Sequence, residues 1–226
     1  MARLPRIVVP QVPHHVTQRG NGRQQTFFGS KDYALYRDLL GRHCRAADVE
    51  VWAWCLMPNH VHLILVPQDE DGLRRALAPL HRAYAGIVHA RQERTGHFWQ
   101  GRFGAVAMDE AHLAAAIRYV LLNPVRARLV GRAEEWPWSS LHTHISRKDD
   151  GITTLRPVAD RFPDLAALLD AAIDDSAAQE RLRRAESIGR PLGDAAFLDR
   201  VETLVGRSVK TGKRGRKPKS STDVKV

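Results

Sequence analysis

Two histidines one residue apart open an apolar run at Pro58-Asn59-His60-Val61-His62. Side chains alternate along an extended strand, so His60 and His62 share one face while Val61, Leu63 and Leu65 take the other. Two neutral imidazoles on one face suit a divalent metal and leave coordination positions open for a phosphate oxygen. The same spacing also fits two solvated histidines on a half-exposed strand, so a second element has to decide. A nucleophile and a third ligand should come from that element. Of the four tyrosines, Tyr33 is followed at i+4 by Arg37, Tyr36 by Leu40, Tyr84 by Val88 and Tyr119 by Asn123. Only Tyr119 has a metal-capable amide one helical turn later. Its neighbours Ala115, Ala116 and Ile117 equally fit a packed helix residue with its hydroxyl at the edge of a core.

The elements that must position these groups can be placed in order. Pro13 to Arg19 reads as a first strand, followed by the turn residues Gly20, Asn21 and Gly22. Ser30 can cap a helix to about Ala47. Val49 to Met57 and His60 to Pro67 are two strands joined by Pro58 and Asn59, which requires a hairpin. A helix follows from about Asp71 to Arg94, then a glycine-interrupted strand from Phe98 to Met108. Asp109 can cap the last helix of this series, which should stop near Asn123 because Pro124 disfavours helical dihedrals in the residue before it. The order β-α-β-β-α-β-α predicts an α+β fold, a ferredoxin-like antiparallel sheet with helices packed on one face. Residues 1–145 form the expected catalytic domain, 146–206 a small helical extension, and 207–226 a disordered basic tail.

Charge and composition narrow the partner. The 226-residue chain carries a formal net charge of +10. Residues 207–226 hold eight Lys or Arg against one Asp, whereas residues 146–206 hold nine basic against twelve acidic residues. The excess therefore lies on the first 145 residues and the tail, as a polyanion partner requires. No apolar run approaches the roughly 20 residues of a membrane span, and no secretory leader is legible, so a cytoplasmic protein with no membrane partner is expected. Cys44 and Cys55 have neither metal-clip nor redox-pair spacing and should be buried thiols.

The segments MPNHVHLILVP, GHFWQGRF and RYVLLNPVRARLV, in this order and spacing, resemble the REP-associated tyrosine transposases, relatives of the single-tyrosine HUH transposases of small insertion sequences. The resemblance covers roughly residues 10–145, and GRPLGDAAFLDRVETLVGR with its basic GRKPK sequence also looks like the C-terminal region of many members. It implies that His60 and His62 are the HUH pair binding Mg²⁺ or Mn²⁺, that Tyr119 is the nucleophile, and that Asn123 is a third metal contact. Some members of the wider group have Gln where Asn123 stands, so this shorter side chain needs a closer approach. The implied reaction is transesterification on single-stranded DNA through a 5′-phosphotyrosine, at hairpin-forming, repeated extragenic sequences. A monomer and a homodimer sharing Tyr119 in trans are both compatible.

Around this site, Gln18, Arg19, Asn21, Arg23 and Arg102 are candidates for contacting DNA backbone or bases, and Trp99 and Phe103 could stack bases or fill a core. Arg118 and Arg126 flank Tyr119 and could neutralise phosphate charge. Lys213, Arg214, Arg216 and Lys217 form an AT-hook-like KRGRKPK, readable as a minor-groove or as a nonspecific electrostatic arm. His14 and His15 fall on opposite faces of the first strand, and neither is put forward as a ligand; His81, His89, His97 and His112 are expected to be structural or solvated. The alternative function is a noncatalytic, sequence-specific DNA-binding protein on the same fold. An RNA-binding module ranks last, because no RNP-like strand is present.

Overall fold

A computed structural model of the protein describes residues 6–170, 180–182, 184–185 and 189–209. The basic residues Lys213, Arg214, Arg216 and Lys217 lie outside them. Strands β1 (His14–Arg19), β2 (Val49–Met57), β3 (His60–Pro67) and β4 (Gly104–Ala107) form one sheet in the order β2-β3-β1-β4, with every neighbouring pair antiparallel. Helix α1 (Ser30–Ala46) crosses from β1 to β2, α2 (Gly72–Gln92) crosses from β3 to β4, and α3 (Glu110–Arg126) follows β4. This is the ferredoxin-like order expected from the sequence.

The alternation of β3 divides the core. Val61, Leu63 and Leu65 face α1 and α2, packing with Tyr36, Leu40, Leu77, Leu80 and Tyr84, all fully buried. Ile64 and Val66 face the opposite way, towards Leu113, Ala116, Ile117 and Val120 of α3. The expected helix layer is therefore α1 and α2; the structure adds a second layer on the other face. Beside α3 in that layer are Leu165 and Leu168 of a short helix, α6 (Leu165–Asp170), which follows the short helices α4 (Leu141–Ser146) and α5 (Arg156–Arg161). A bulge at Trp52 shifts the register between Val51 and Ala53, so beyond it Trp54 and Leu56 keep facing α1 while Cys55 and Met57 face α3. The β2 edge is not left open: Leu56 N donates to Trp138 O and Ser140 N to Trp54 O, both at 2.9 Å.

Two expectations about element length need correction. The strand anticipated over Phe98–Met108 is regular only at Gly104–Ala107, because Phe98 and Trp99 turn into the core and the Trp99 indole N–H donates to His81 O at 2.9 Å. Helix α3 starts as read, with the Asp109 carboxylate accepting from His112 N at 2.9 Å, but runs past Pro124 to Arg126. Proline removes one N–H, and the chain recovers at once: Ala127 N donates to Asn123 O and Leu129 N to Pro124 O, both at 2.9 Å. Burial of Pro124 and Asn123 against the sheet outweighs the local dihedral preference.

The far edge is closed by both ends of the described chain. Leu192 N donates to Ala107 O at 2.8 Å, and Ile7 and Val9 pack with Phe197 and Val201 of helix α7 (Ala195–Val205). Cys44 and Cys55 are buried free thiols, as expected. Among the described residues no helix is long and apolar enough to cross a membrane.

Candidate active site

The hairpin turn between β2 and β3 fixes where the histidine pair begins. Asn59 O accepts from Gly20 N at 2.9 Å, and the Asn59 amide donates to Arg23 O at 3.0 Å. The segment after Gly20 folds back so tightly that a Cβ there would sit 2.3 Å from Gln24 O, so only glycine fits. From this turn β3 carries His60 and His62 onto the α3 side of the sheet. On the neighbouring strands His60 is flanked in register by Arg19 and Met57, and His62 by Thr17 and Cys55.

The two rings lie 4.7 Å apart between centroids and nearly perpendicular, at 81°. Helix α3 delivers Tyr119 above them: its ring is 5.1 Å from that of His62, edge to face at 88°. Tyr119 is buried, with 6% of its surface exposed. The Arg126 guanidinium sits 5.1 Å over the same ring. Asn123, one turn beyond Tyr119, is also buried.

The donor set fits a divalent metal. His60 Nδ1 lies 2.6 Å from the Asn59 side-chain oxygen, so its Nδ1–H donates there and the lone pair is left on Nε2. Burial, with the charge of Arg19 added, pushes the His60 pKa down to about 3, so the ring is the neutral form at physiological pH. Among the described residues no group of three or more His, Cys, Asp or Glu is placed to hold a metal, so within that set the candidate protein ligands are the two histidines.

The remaining predicted residues scatter. Arg19 adjoins His60. Asn21 and Arg23 are exposed on the turn held by Asn59, and Arg102 is exposed on the loop before β4, where its charge adds to burial in lowering the Arg6 pKa. Arg118 donates to Leu168 O at 3.1 Å and so is directed to α6. Gln18 is a correction: it points to the α1/α2 side, only 3% exposed, and its amide donates to Gly101 O at 3.2 Å, holding the loop rather than offering a surface. Trp99 and Phe103 belong to the core on that side.

One residue set aside in the sequence enters the site. His15 Nε2 lies 3.1 Å from His62 Nδ1, the two rings are stacked at 5.2 Å and 6°, and Tyr119 meets His15 edge to face at 5.8 Å. Strand parity alone left open which of His14 and His15 faces the pair. The pairing register of β1 with β3, which sets Thr17 opposite His62 and Arg19 opposite His60, decides it.

The family model described as "Transposase IS200 like" matches residues 8–122, a span that includes β1, the His60/His62 pair and Tyr119. The chain is 26% identical over 121 residues to a protein named as a REP-associated tyrosine transposase from Haemophilus influenzae, covering 49% of this chain and 69% of that one. It is 26% identical over 120 residues to the REP-associated tyrosine transposase of Escherichia coli K12, covering 51% and 68% respectively. Its fold is similar to that of a REP-associated tyrosine transposase solved bound to a REP hairpin, with a TM-score of 0.57 and 22% identity over 65% of this chain and 87% of that chain.

Proposed function

The chain belongs to the IS200-like transposase family, and from that premise we propose that it nicks and rejoins single-stranded DNA at hairpin-forming repeats, with Tyr119 as nucleophile and His60, His62 and Asn123 holding Mg²⁺ or Mn²⁺. The observation that carries this reading is the edge-to-face placement of Tyr119 on His62, from two elements far apart in sequence, on a face where no apolar packing need calls for histidine. A divalent ion bound there would polarise the scissile phosphate. The Tyr119 oxygen attacks phosphorus and loses its proton; the P–O3′ bond breaks, and the leaving 3′ oxygen takes up a proton as a 5′-phosphotyrosine forms. Attack by another 3′-hydroxyl on that phosphorus reverses the exchange and frees Tyr119. Because the phosphodiester energy is kept in the tyrosyl link, rejoining requires no nucleotide triphosphate. Arg126 over the phenol and Arg19 beside His60 put positive charge where the phosphate would sit. The exposed Asn21, Arg23 and Arg102 would track the adjoining strand.

A DNA substrate is supported by the net charge of +10 and by the similar fold of a REP-associated tyrosine transposase that is bound to a REP hairpin. The test is incubation with labelled single-stranded hairpins from repeats flanking its own gene, with Mg²⁺ or Mn²⁺, followed by denaturing electrophoresis. A metal-dependent covalent adduct that Tyr119→Phe abolishes supports the reading. Binding with no adduct or cleavage across several such hairpins assigns the chain instead to noncatalytic DNA binding.

A further inference from the structure

We infer that His15 is a positioning residue of this site: it accepts a hydrogen bond from His62 Nδ1 and thereby fixes the tautomer and orientation in which His62 can ligate a metal, while its ring seats Tyr119. The inference rests on His60 and His62 being the metal pair. His15 is fully buried on β1, two residues before the register partner of His62, a diagonal distance that aromatic rings can bridge. Its Nε2 lies 3.1 Å from His62 Nδ1. A contact between two imidazole nitrogens carries a single hydrogen, and which ring owns it has chemical consequences. If His15 Nε2–H donates, His62 carries its own hydrogen on Nε2, and neither of its nitrogens can offer a lone pair to a metal. If His62 Nδ1–H donates, the Nε2 lone pair of His62 is available, the same arrangement that Asn59 imposes on His60. The two candidate ligands would then be set by two different partners, a side-chain amide oxygen for one and an imidazole for the other.

Packing strengthens the assignment. The His15 and His62 rings are parallel within 6°, and Tyr119 stands perpendicular to both, at 5.8 and 5.1 Å. His15 thus touches the candidate ligand and the candidate nucleophile at once. Removing it would free the His62 ring to turn and open a gap beside the phenol.

The test uses the full chain without DNA. Nitrogen-15 shifts of the metal-free wild type should show His62 with its hydrogen on Nδ1; the opposite tautomer, with the hydrogen on Nε2, overturns the inference without any variant. Calorimetric titration with Mn²⁺ follows. His15→Phe keeps a ring but no nitrogen and should weaken Mn²⁺ binding by about 10- to 100-fold; His15→Gln restores an acceptor oxygen and should recover part of the loss, while thermal melting confirms the fold of each. Should His15→Phe not fold, the wild-type tautomer and His15→Gln carry the test. Unchanged Mn²⁺ affinity in a folded His15→Phe overturns the role of His15. If His60→Ala binds Mn²⁺ as the wild type does, the metal-pair reading fails instead, and the two failures are told apart.

Discussion

The two faces of one sheet treat the same residue type in opposite ways. On the α1/α2 side the buried histidines His14 and His81 are each satisfied by ordinary structural partners. His14 Nδ1 donates to Val12 O at 2.7 Å and its Nε2 accepts from Val9 N at 3.1 Å, while His81 Nε2 is 3.0 Å from the Tyr36 hydroxyl within an aromatic cluster. On the α3 side His62 contacts His15, His60 and Tyr119, and His15 also contacts Tyr119. Burial alone therefore does not mark a functional histidine. What separates the α3-side rings is that each contacts another imidazole, whereas the partners of His14 are backbone groups and those of His81 a tyrosine hydroxyl and aromatic rings.

Substitutions on the two faces should separate chemistry from stability. The largest expected effect on chemistry is on the α3 side, where His62→Ala should reduce metal-dependent cleavage by the folded protein about 100-fold or more; single-turnover rates on a labelled hairpin check it, with thermal melting showing the folded fraction. On the other face Leu80→Ala removes a fully buried side chain and should cost about 2–5 kcal/mol in denaturant unfolding, with Mn²⁺ affinity unaltered in the folded fraction. If Leu80→Ala instead altered metal affinity, the separation of the two layers would be broken.

Acidification should sharpen the contrast less steeply. In the unfolded chain both structural rings take up a proton as the pH falls through about 6.5. Burial pushes the pKa of folded His14 down to about 4 and that of His81 to about 3. Across that window the unfolded chain binds more protons, so stability is present above pH 6.5 and declines as the pH drops towards 4. Urea midpoints measured from pH 7.5 to 4 should fall accordingly, and His81→Leu should flatten the dependence. A midpoint independent of pH over this range would contradict neutral burial of these rings.

Much of this contrast is legible in the sequence, and the missing parts have physical causes. Alternation in HVHLILVP places His60 and His62 away from Leu63 and Leu65, and Asp109 announces the start of the helix that carries Tyr119, because both are local patterns of period two or of capping. His15 was not legible, since its side of the sheet matters only once the β1–β3 register is known, and register is a nonlocal property. The helix beyond Pro124 was missed for a related reason: tertiary burial of Asn123 and Pro124 overrides a dihedral preference that the sequence alone shows. Gln18 misled because loop-adjacent polar residues are usually exposed, whereas here the amide anchors the Gly101 loop from inside.

The central claim is that Tyr119 is the group that becomes joined to DNA. Trypsin cleaves after Arg118 and Arg126, so the phenol falls in the isolated peptide 119–126. Mass spectrometry of the digested protein–DNA adduct, after nuclease trimming, should find the residual nucleotide on that peptide, with fragmentation placing it on Tyr119. A nucleotide carried by any other peptide, with 119–126 recovered unmodified, would contradict the account.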